Sequence, residues 1–244
     1  MTSNASFAGR LAVVTGAASG IGAALAERLA ALDARLILAD VDTTGMREVA
    51  DRLCATPMAT DVADPGDMAR LAESAVDASL IFLNAGVVST SAGPVWEAPA
   101  EEWERVLAIN LGGVVNGLRA FVPGLLRSGR PAGILITASL AGLVSWPGGG
   151  PYAATKHAIV AVAEQASLSL AGSNVSVTLL CPALVRSGMS PEGEDPLAVA
   201  EAALSAVAHR RFAVVPQAWR HAVRLRGQRL ADGLIPLLPE PGVD

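Results

Sequence analysis

One group of residues in the middle of the chain has types and spacing that could do chemistry: Ser139, followed by Tyr152-Ala-Ala-Thr-Lys156. Pro151 comes after three glycines, Gly148 to Gly150, and stands where a helix would begin. Proline suits the first helical position, because the N–H it lacks would be unpaired there anyway. Tyr152 and Lys156, four apart at the start of that helix, then project from one face. A phenol beside an ammonium makes an acid/base group. A unit charge about 4 Å away, at an effective dielectric near 20, favours the phenolate by roughly 4 kcal/mol. That would bring a tyrosine down by about three units, towards neutrality. Ser139 ends the apolar run Gly133 to Ala138, which reads as a buried strand, and its hydroxyl would meet the phenol at a common substrate oxygen. Such a set suits reversible carbonyl/alcohol chemistry. A tyrosine four before a lysine also arises by chance, so the elements around the group must carry the case.

Those elements alternate. Arg10 to Thr15 holds a short continuous apolar run suited to a strand covered on both faces. Gly16-Ala-Ala-Ser-Gly20-Ile-Gly22 follows, then Ala23 to Leu32 at helical spacing. Glycines let a backbone approach a pyrophosphate closely, and a helix N-terminus offers free N–H groups and a positive dipole end. The spacing is G-x-x-x-G-x-G and not the common G-x-G-x-x-G fingerprint. Arg35 to Ala39 reads as a second strand with Asp40 at its carboxyl end, about 20 residues past the turn, where a dinucleotide's ribose would lie. A carboxylate there accepts from a ribose 2′-OH and repels a 2′-phosphate, which favours NAD over NADP; Asp42 stands close enough to share or contest the role. Further strands are expected around 55–59, 79–83, 133–138, 175–180 and 212–215. Helices are expected near 43–53, 101–119, 151–170 and 196–208, with Asp64 capping another. Asn110 interrupts the apolar face formed by Val106, Ile109 and Val114. A buried amide must be hydrogen-bonded, as a structural group or as part of a relay. Strand–helix alternation implies an α/β fold, one doubly wound parallel sheet of Rossmann-like type. The order of elements sets Gly16, Asp40, Asn84, Ser139 and Pro182 just past strand ends, where ligands bind in such sheets.

Composition narrows the classes. The 244 residues, 52% of them hydrophobic, suffice for one core, and 1–244 reads as a single domain. A net charge of −5 argues against a general nucleic-acid binder. Cys54 and Cys181 form no CxxC, and His157, His209 and His221 are scattered, so neither a disulfide framework nor a metal site is expected. The apolar stretch Leu11 to Leu32 has only Arg10 before it, and its glycines, Glu27 and Arg28 interrupt it. It suits neither a signal peptide nor a membrane span, and a soluble cytoplasmic protein without membrane partners is expected.

Taken in order, these residues resemble the short-chain dehydrogenase/reductase family as far as about Pro216. Thr15 to Gly22 looks like the family's cofactor turn, which would use Gly16, Ser19, Gly20, Ile21 and Gly22. Asp61-Val62 is similar to the pair beside the adenine, and Asn84-Ala85-Gly86 to the motif that stabilises the central sheet. Asn110, Ser139, Tyr152 and Lys156 match the catalytic four, including the thirteen-residue step from serine to tyrosine. The resemblance implies that Tyr152 exchanges a proton with the substrate oxygen. Lys156 would lower its pKa and hold the nicotinamide ribose, Ser139 would polarise the carbonyl, and Asn110 would anchor a water. Pro182, Val185 and Ser187 join the implied cofactor contacts, Ser187 keeping a hydroxyl for the carboxamide. A homotetramer or homodimer built on helices 101–119 and 151–170 is implied as well.

The sequence departs from the family pattern in three places. Ala183 stands where relatives often have glycine after Pro182. Only Gly188 to Asp195 occupies the place of a helical substrate lid. The stretch 217–244 differs from the usual ending, with Trp219, Val223 and Leu230 as an apolar stripe edged by Arg220, Arg224 and Arg229. An amphipathic helix packed on its own subunit is the reading preferred there, with a subunit contact, a substitute lid or membrane attachment as alternatives. Leu140, Leu143, Val144, Trp146, Leu184, Val185 and Met189 flank the catalytic positions without a fixed charge, which favours an apolar or weakly polar secondary alcohol or ketone as small-molecule substrate. Two other functions share the fold: a catalytically silent dinucleotide-binding sensor, and an isomerase or dehydratase.

Overall fold

The computed structural model describes residues 6–90, 94–186 and 192–242. Seven strands form one parallel sheet in the order β3-β2-β1-β4-β5-β6-β7. They are β1 (Leu11–Thr15), β2 (Arg35–Asp40), β3 (Thr56–Ala59), β4 (Ala78–Leu83), β5 (Ala132–Thr137), β6 (Val175–Leu180) and β7 (Ala213–Val214). β4 and β5 are buried at every residue, as expected of strands covered by helices on both faces. One core lies on each side of the sheet. The first joins α1 (Gly20–Ala31), α2 (Thr43–Leu53) and α7 (Pro196–Ala208) to Val14, Leu38 and Phe82. The second sets α3 (Pro65–Ser74), α5 (Gly113–Ser128) and α6 (Gly150–Ser169) against Val13, Ile81 and Ile134.

The strand order reverses between β1, which pairs with β2, and β4, which pairs with β1 on its other side. A crevice opens at such a switch point, outside the carboxyl ends of the strands. Helix starts around it are capped as their residue types dictate. Asp42 accepts from the N–H groups of Thr44 and Gly45 to cap α2, and Asp64 accepts from Gly66 to cap α3. Asp67, three residues after Asp64, accepts from Asp61 N–H at 2.8 Å.

The helix expected over 101–119 is a composite. α4 (Ala100–Val106) passes into a π-helical stretch, Leu107–Gly112, and then into α5. Ala100–Ser128 is long and apolar enough to cross a membrane by composition. Here, however, Val106, Val114, Phe121 and Leu125 are buried. Asn110 sits inside the π-helical stretch, the kind of local widening often found at functional sites.

The C-terminal stretch forms α8 (Arg220–Ala231), with Trp219, Ala222 and Val223 packed on Leu140, Val144 and Ala183. Leu230, placed in the stripe by sequence, is 71% exposed, because only the first turns of α8 touch the body. Beyond it the chain doubles back: Arg229 donates to the Ile235 carbonyl, and Gly242 N–H to the Ala218 carbonyl.

Candidate active site

At the switch point lies a cavity of about 530 Å³, running from Gly16, Ser19, Gly20 and Ile21 past Asp40 to Ser139 and Tyr152. The glycine turn is shaped by what a side chain would hit. A Cβ on Gly16 would stand 2.7 Å from Ala85 Cα, and one on Gly22 would stand 1.9 Å from the Gly16 carbonyl oxygen. Gly22 therefore seats α1 against the turn and does not line the cavity. Asp40 accepts from Ala18 N–H at 2.9 Å through one oxygen and from Asp42 N–H at 3.0 Å through the other. Its carboxylate is thus fixed against the turn, while Asp42 is spent as a helix cap. Asp61, Val62, Asn84, Ala85 and Gly86 line the same cavity.

Asn84 braces three strands. Its N–H and that of Ala85 donate to the Thr15 hydroxyl, its amide donates to Thr15 and Gly16 carbonyls, and its Oδ1 accepts from the Thr137 hydroxyl. Asn110, fully buried, is held by three hydrogen bonds to the protein. Its Oδ1 accepts from Val87 N–H at 2.8 Å, and its Nδ2 donates to the Val87 carbonyl at 2.9 Å and the Thr155 hydroxyl at 3.2 Å. Gly86 fits between them: a Cβ there would stand 3.2 Å from Asn110 Oδ1 and 3.4 Å from Lys156 Nζ.

Ser139 follows β5 and lines the cavity with Tyr152, near enough to draw its phenol's pKa down; its Oγ accepts from Ala141 N–H at 3.1 Å. Lys156 lies beneath the cavity wall. Its Nζ donates to the Thr137 carbonyl at 3.1 Å and stands 5.6 Å from the centre of the Tyr152 ring. Gly142 permits this approach, since a Cβ would stand 2.4 Å from the Lys156 carbonyl.

The electrostatics correct the expectation from spacing. Burial raises the Tyr152 pKa above its ordinary value, opposed by the nearby Ser139 hydroxyl. Burial likewise pulls Lys156 down to about 8, with nearby Cys181 acting the other way, and pushes the Cys181 thiol up to about 12. The ammonium donates to the Thr137 carbonyl, and loss of solvent sets the direction of the phenol's shift.

Pro182, Leu184 and Val185 line the cavity, whereas Ser187 and Met189 lie outside the described residues. Leu140 and Val144 instead face α8, and Trp146, 40% exposed, is not among the lining residues. Glu194 N–H donates to the Leu184 carbonyl and Arg186 N–H to the Glu194 carbonyl.

Sequence reasoning missed Thr15, Thr137 and Thr155, whose hydroxyls or carbonyls hold the named residues. It also missed Glu102 and Arg105. Glu102 accepts from Thr90 N–H, the Ser89 and Thr90 hydroxyls and the Arg105 guanidinium. Thr90 N–H above all, with Arg105 and Ser89, holds that carboxyl down to about 2 against the opposing effect of burial. Arg105, a cation at the cavity, is neutralised in this pair and also donates to the Val88 carbonyl. An acid followed three residues later by a base on a helix was the available signal.

The donors and spaces fit a dinucleotide: a glycine turn for a pyrophosphate, a fixed carboxylate for a ribose, and a hydroxyl pair at the far end. Comparison with known proteins agrees. Residues 10–197 match the family described as short chain dehydrogenase. A 1-deoxy-11-beta-hydroxypentalenate dehydrogenase of Streptomyces exfoliatus is 42% identical over 189 residues, 74% of this chain and 69% of the relative. A 2-(R)-hydroxypropyl-CoM dehydrogenase of Xanthobacter autotrophicus is 32% identical, over 74% of this chain and 76% of the relative. The crystal structure of a short chain dehydrogenase/reductase from Burkholderia phymatum, in complex with NAD, superposes with a TM-score of 0.92. It is 33% identical, and the match covers 96% of this chain and 99% of that one. The chain belongs to the short-chain dehydrogenase/reductase family of Rossmann-fold oxidoreductases.

Proposed function

We propose that this oxidoreductase interconverts a secondary alcohol and a ketone with NAD, using Tyr152 as the acid/base. The observation that carries the reading is that Ser139 and Tyr152 line one end of a cavity whose other end holds Asp40 against the glycine turn. In the reductive direction the Tyr152 phenol gives its proton to the carbonyl oxygen while Ser139 donates to the same oxygen and orients it; in the oxidative direction the phenolate form of Tyr152 takes the hydroxyl proton. When bound, the nicotinamide supplies the hydride acceptor or donor. Lys156, Asn84 and Gly86 would border its ribose, and Pro182 and Val185 its ring. Asn110 acts as a positioning residue, because its amide fixes the Val87 backbone and Thr155, one residue before Lys156.

Asp40 supports NAD over NADP. A 2′-phosphate would meet a carboxylate that is already held by two N–H groups and cannot turn away. The names of both relatives denote dehydrogenases of hydroxylated compounds, in line with an alcohol substrate. Leu184, 56% exposed, and Val185 give the cavity mouth an apolar edge, which suits a weakly polar substrate. A homodimer or homotetramer through α4–α5 and α6 belongs to the same reading, and light scattering that returned the monomer mass would remove it. The chemical reading is tested by offering NAD with a panel of hydrophobic secondary alcohols, beside titrations with NADH and NADPH. Net NADH formation and tighter NADH binding are expected. NADPH binding as tightly as NADH would overturn the cofactor choice, and interconversion without net NADH would indicate an isomerase.

A further inference from the structure

A second cavity, of about 510 Å³, opens at the opposite end of the sheet, under the amino ends of β1, β4 and β5. Four arginines line it, Arg10, Arg35, Arg130 and Arg210, against a single acid, Asp77. Three excess positive charges thus gather in one concavity of a chain whose net charge is −5. A cleft lined by one sign of charge focuses the field and concentrates counter-ions.

Arg10 is held in advance. Its Nε donates to the Ser79 hydroxyl at 2.9 Å, and its terminal nitrogens donate to the Ser6, Ser79 and Pro131 carbonyls at 2.9–3.0 Å. These bonds leave one N–H of its five without a partner among the described residues. Arg130 stands 3.5 Å from Asp77 and close enough to Arg10 to help burial lower that group's pKa. Arg35 and Arg210 form no ion pair among the described residues. The floor is apolar, made by Phe7, Leu80 and Val207. Helix carboxyl ends lie close by in sequence: α1 stops at Ala31, α5 at Ser128 and α7 at Ala208. Each carries roughly half a negative charge that fades within a turn, so together they offset only about half of the excess.

We propose that this cavity is a binding site for a phosphate dianion, held by Arg10, Arg35, Arg130 and Arg210, with room over the apolar floor for a small organic group on the phosphate. Guanidinium forks match phosphate oxygens bidentately, and the volume lies in the range of small-molecule sites. The site is separate from the cofactor cavity and shares no lining residue with it.

Calorimetric titration at constant ionic strength, in saturating NADH, would use inorganic phosphate and phenyl phosphate as probes. Saturable binding of one equivalent is expected. Phenyl phosphate binding about tenfold tighter would identify an ester as the occupant, and equal affinity a free phosphate. Arg35→Gln with Arg210→Gln, two exposed side chains without ion pairs, should weaken binding at least about tenfold. Arg224→Gln with Arg226→Gln on α8, an equal loss of two charges, should leave it unchanged. Unsaturable binding, or full affinity in the double variant, would mean that the arginines only complement helix ends and would overturn the site. Displacement of the probe by NADH would reassign it to the glycine turn and overturn it as well.

Discussion

Burial of Lys156 should be visible as a pH dependence of folding stability. The ammonium is 4% exposed, and its pKa falls from 10.5 to about 8 in the fold. Between those values the unfolded chain binds more protons than the native one, so stability rises as pH rises. Cys181 works in the opposite sense. Its thiol keeps its proton in the fold up to about 12, whereas the unfolded thiol loses it near 9, so stability falls with pH above that point. Tyr152, raised above 10 by burial, adds a second fall at still higher pH. The clean window is therefore from about pH 8 to about pH 9. One unit of pH there corresponds to about 1.4 kcal/mol of added stability, followed by a plateau and then a decline. Lys156→Met should abolish the rise and leave the decline. Urea denaturation at fixed ionic strength, in half-unit pH steps, measures both proteins. A flat profile for the parent across this window, or a rise that survives in the variant, would refute the assignment to buried Lys156.

Other perturbations separate the parts of the site. Asn110→Ala strips partners from Val87 N–H, the Val87 carbonyl and the Thr155 hydroxyl, and a loss of about 3 kcal/mol is expected in the same denaturation assay. Restoration of activity by Asn110→Asp in step with restored stability would mark the residue as purely structural. Gly22→Ala drives a methyl into the Gly16 carbonyl, and the turn must shift at a cost of about 2 kcal/mol. NADH affinity should fall with it, as read by fluorescence titration. Asp40→Ala removes the charge facing a 2′-phosphate and should move the NADPH-to-NADH affinity ratio by about tenfold, or about 1.4 kcal/mol.

Much of this was legible from residue types alone. Short continuous apolar runs gave the parallel strands, and glycines with an acid 20 or so residues later gave the cavity's position at the switch point. Helix starts at Asp42 and Asp64 followed from capping chemistry. Tertiary contacts settled the rest. Spacing put Tyr152 and Lys156 on one face but could not show how deeply the phenol would be buried, and burial reversed the direction expected for the tyrosine shift. Leu140 and Val144 read equally well as pocket or core, and the packing of Ala222 and Trp219 on them decided for core. The threonines escaped notice because a hydroxyl that buttresses a neighbour has no sequence pattern of its own. Thr155 shows its role only through the amide it meets from another helix.

The central claim, that Tyr152 exchanges a proton with an alcohol or ketone beside a nicotinamide, is tested most directly by comparing the parent with Tyr152→Phe. Nicotinamide absorbance would be followed with NAD and the alcohol panel, and NADH binding measured for both proteins. Turnover in the parent, its near-loss in the variant and NADH affinity preserved in both are expected, because the substitution removes only the phenolic oxygen. A variant that turns over at the parent's rate would contradict the assignment of Tyr152 as the acid/base.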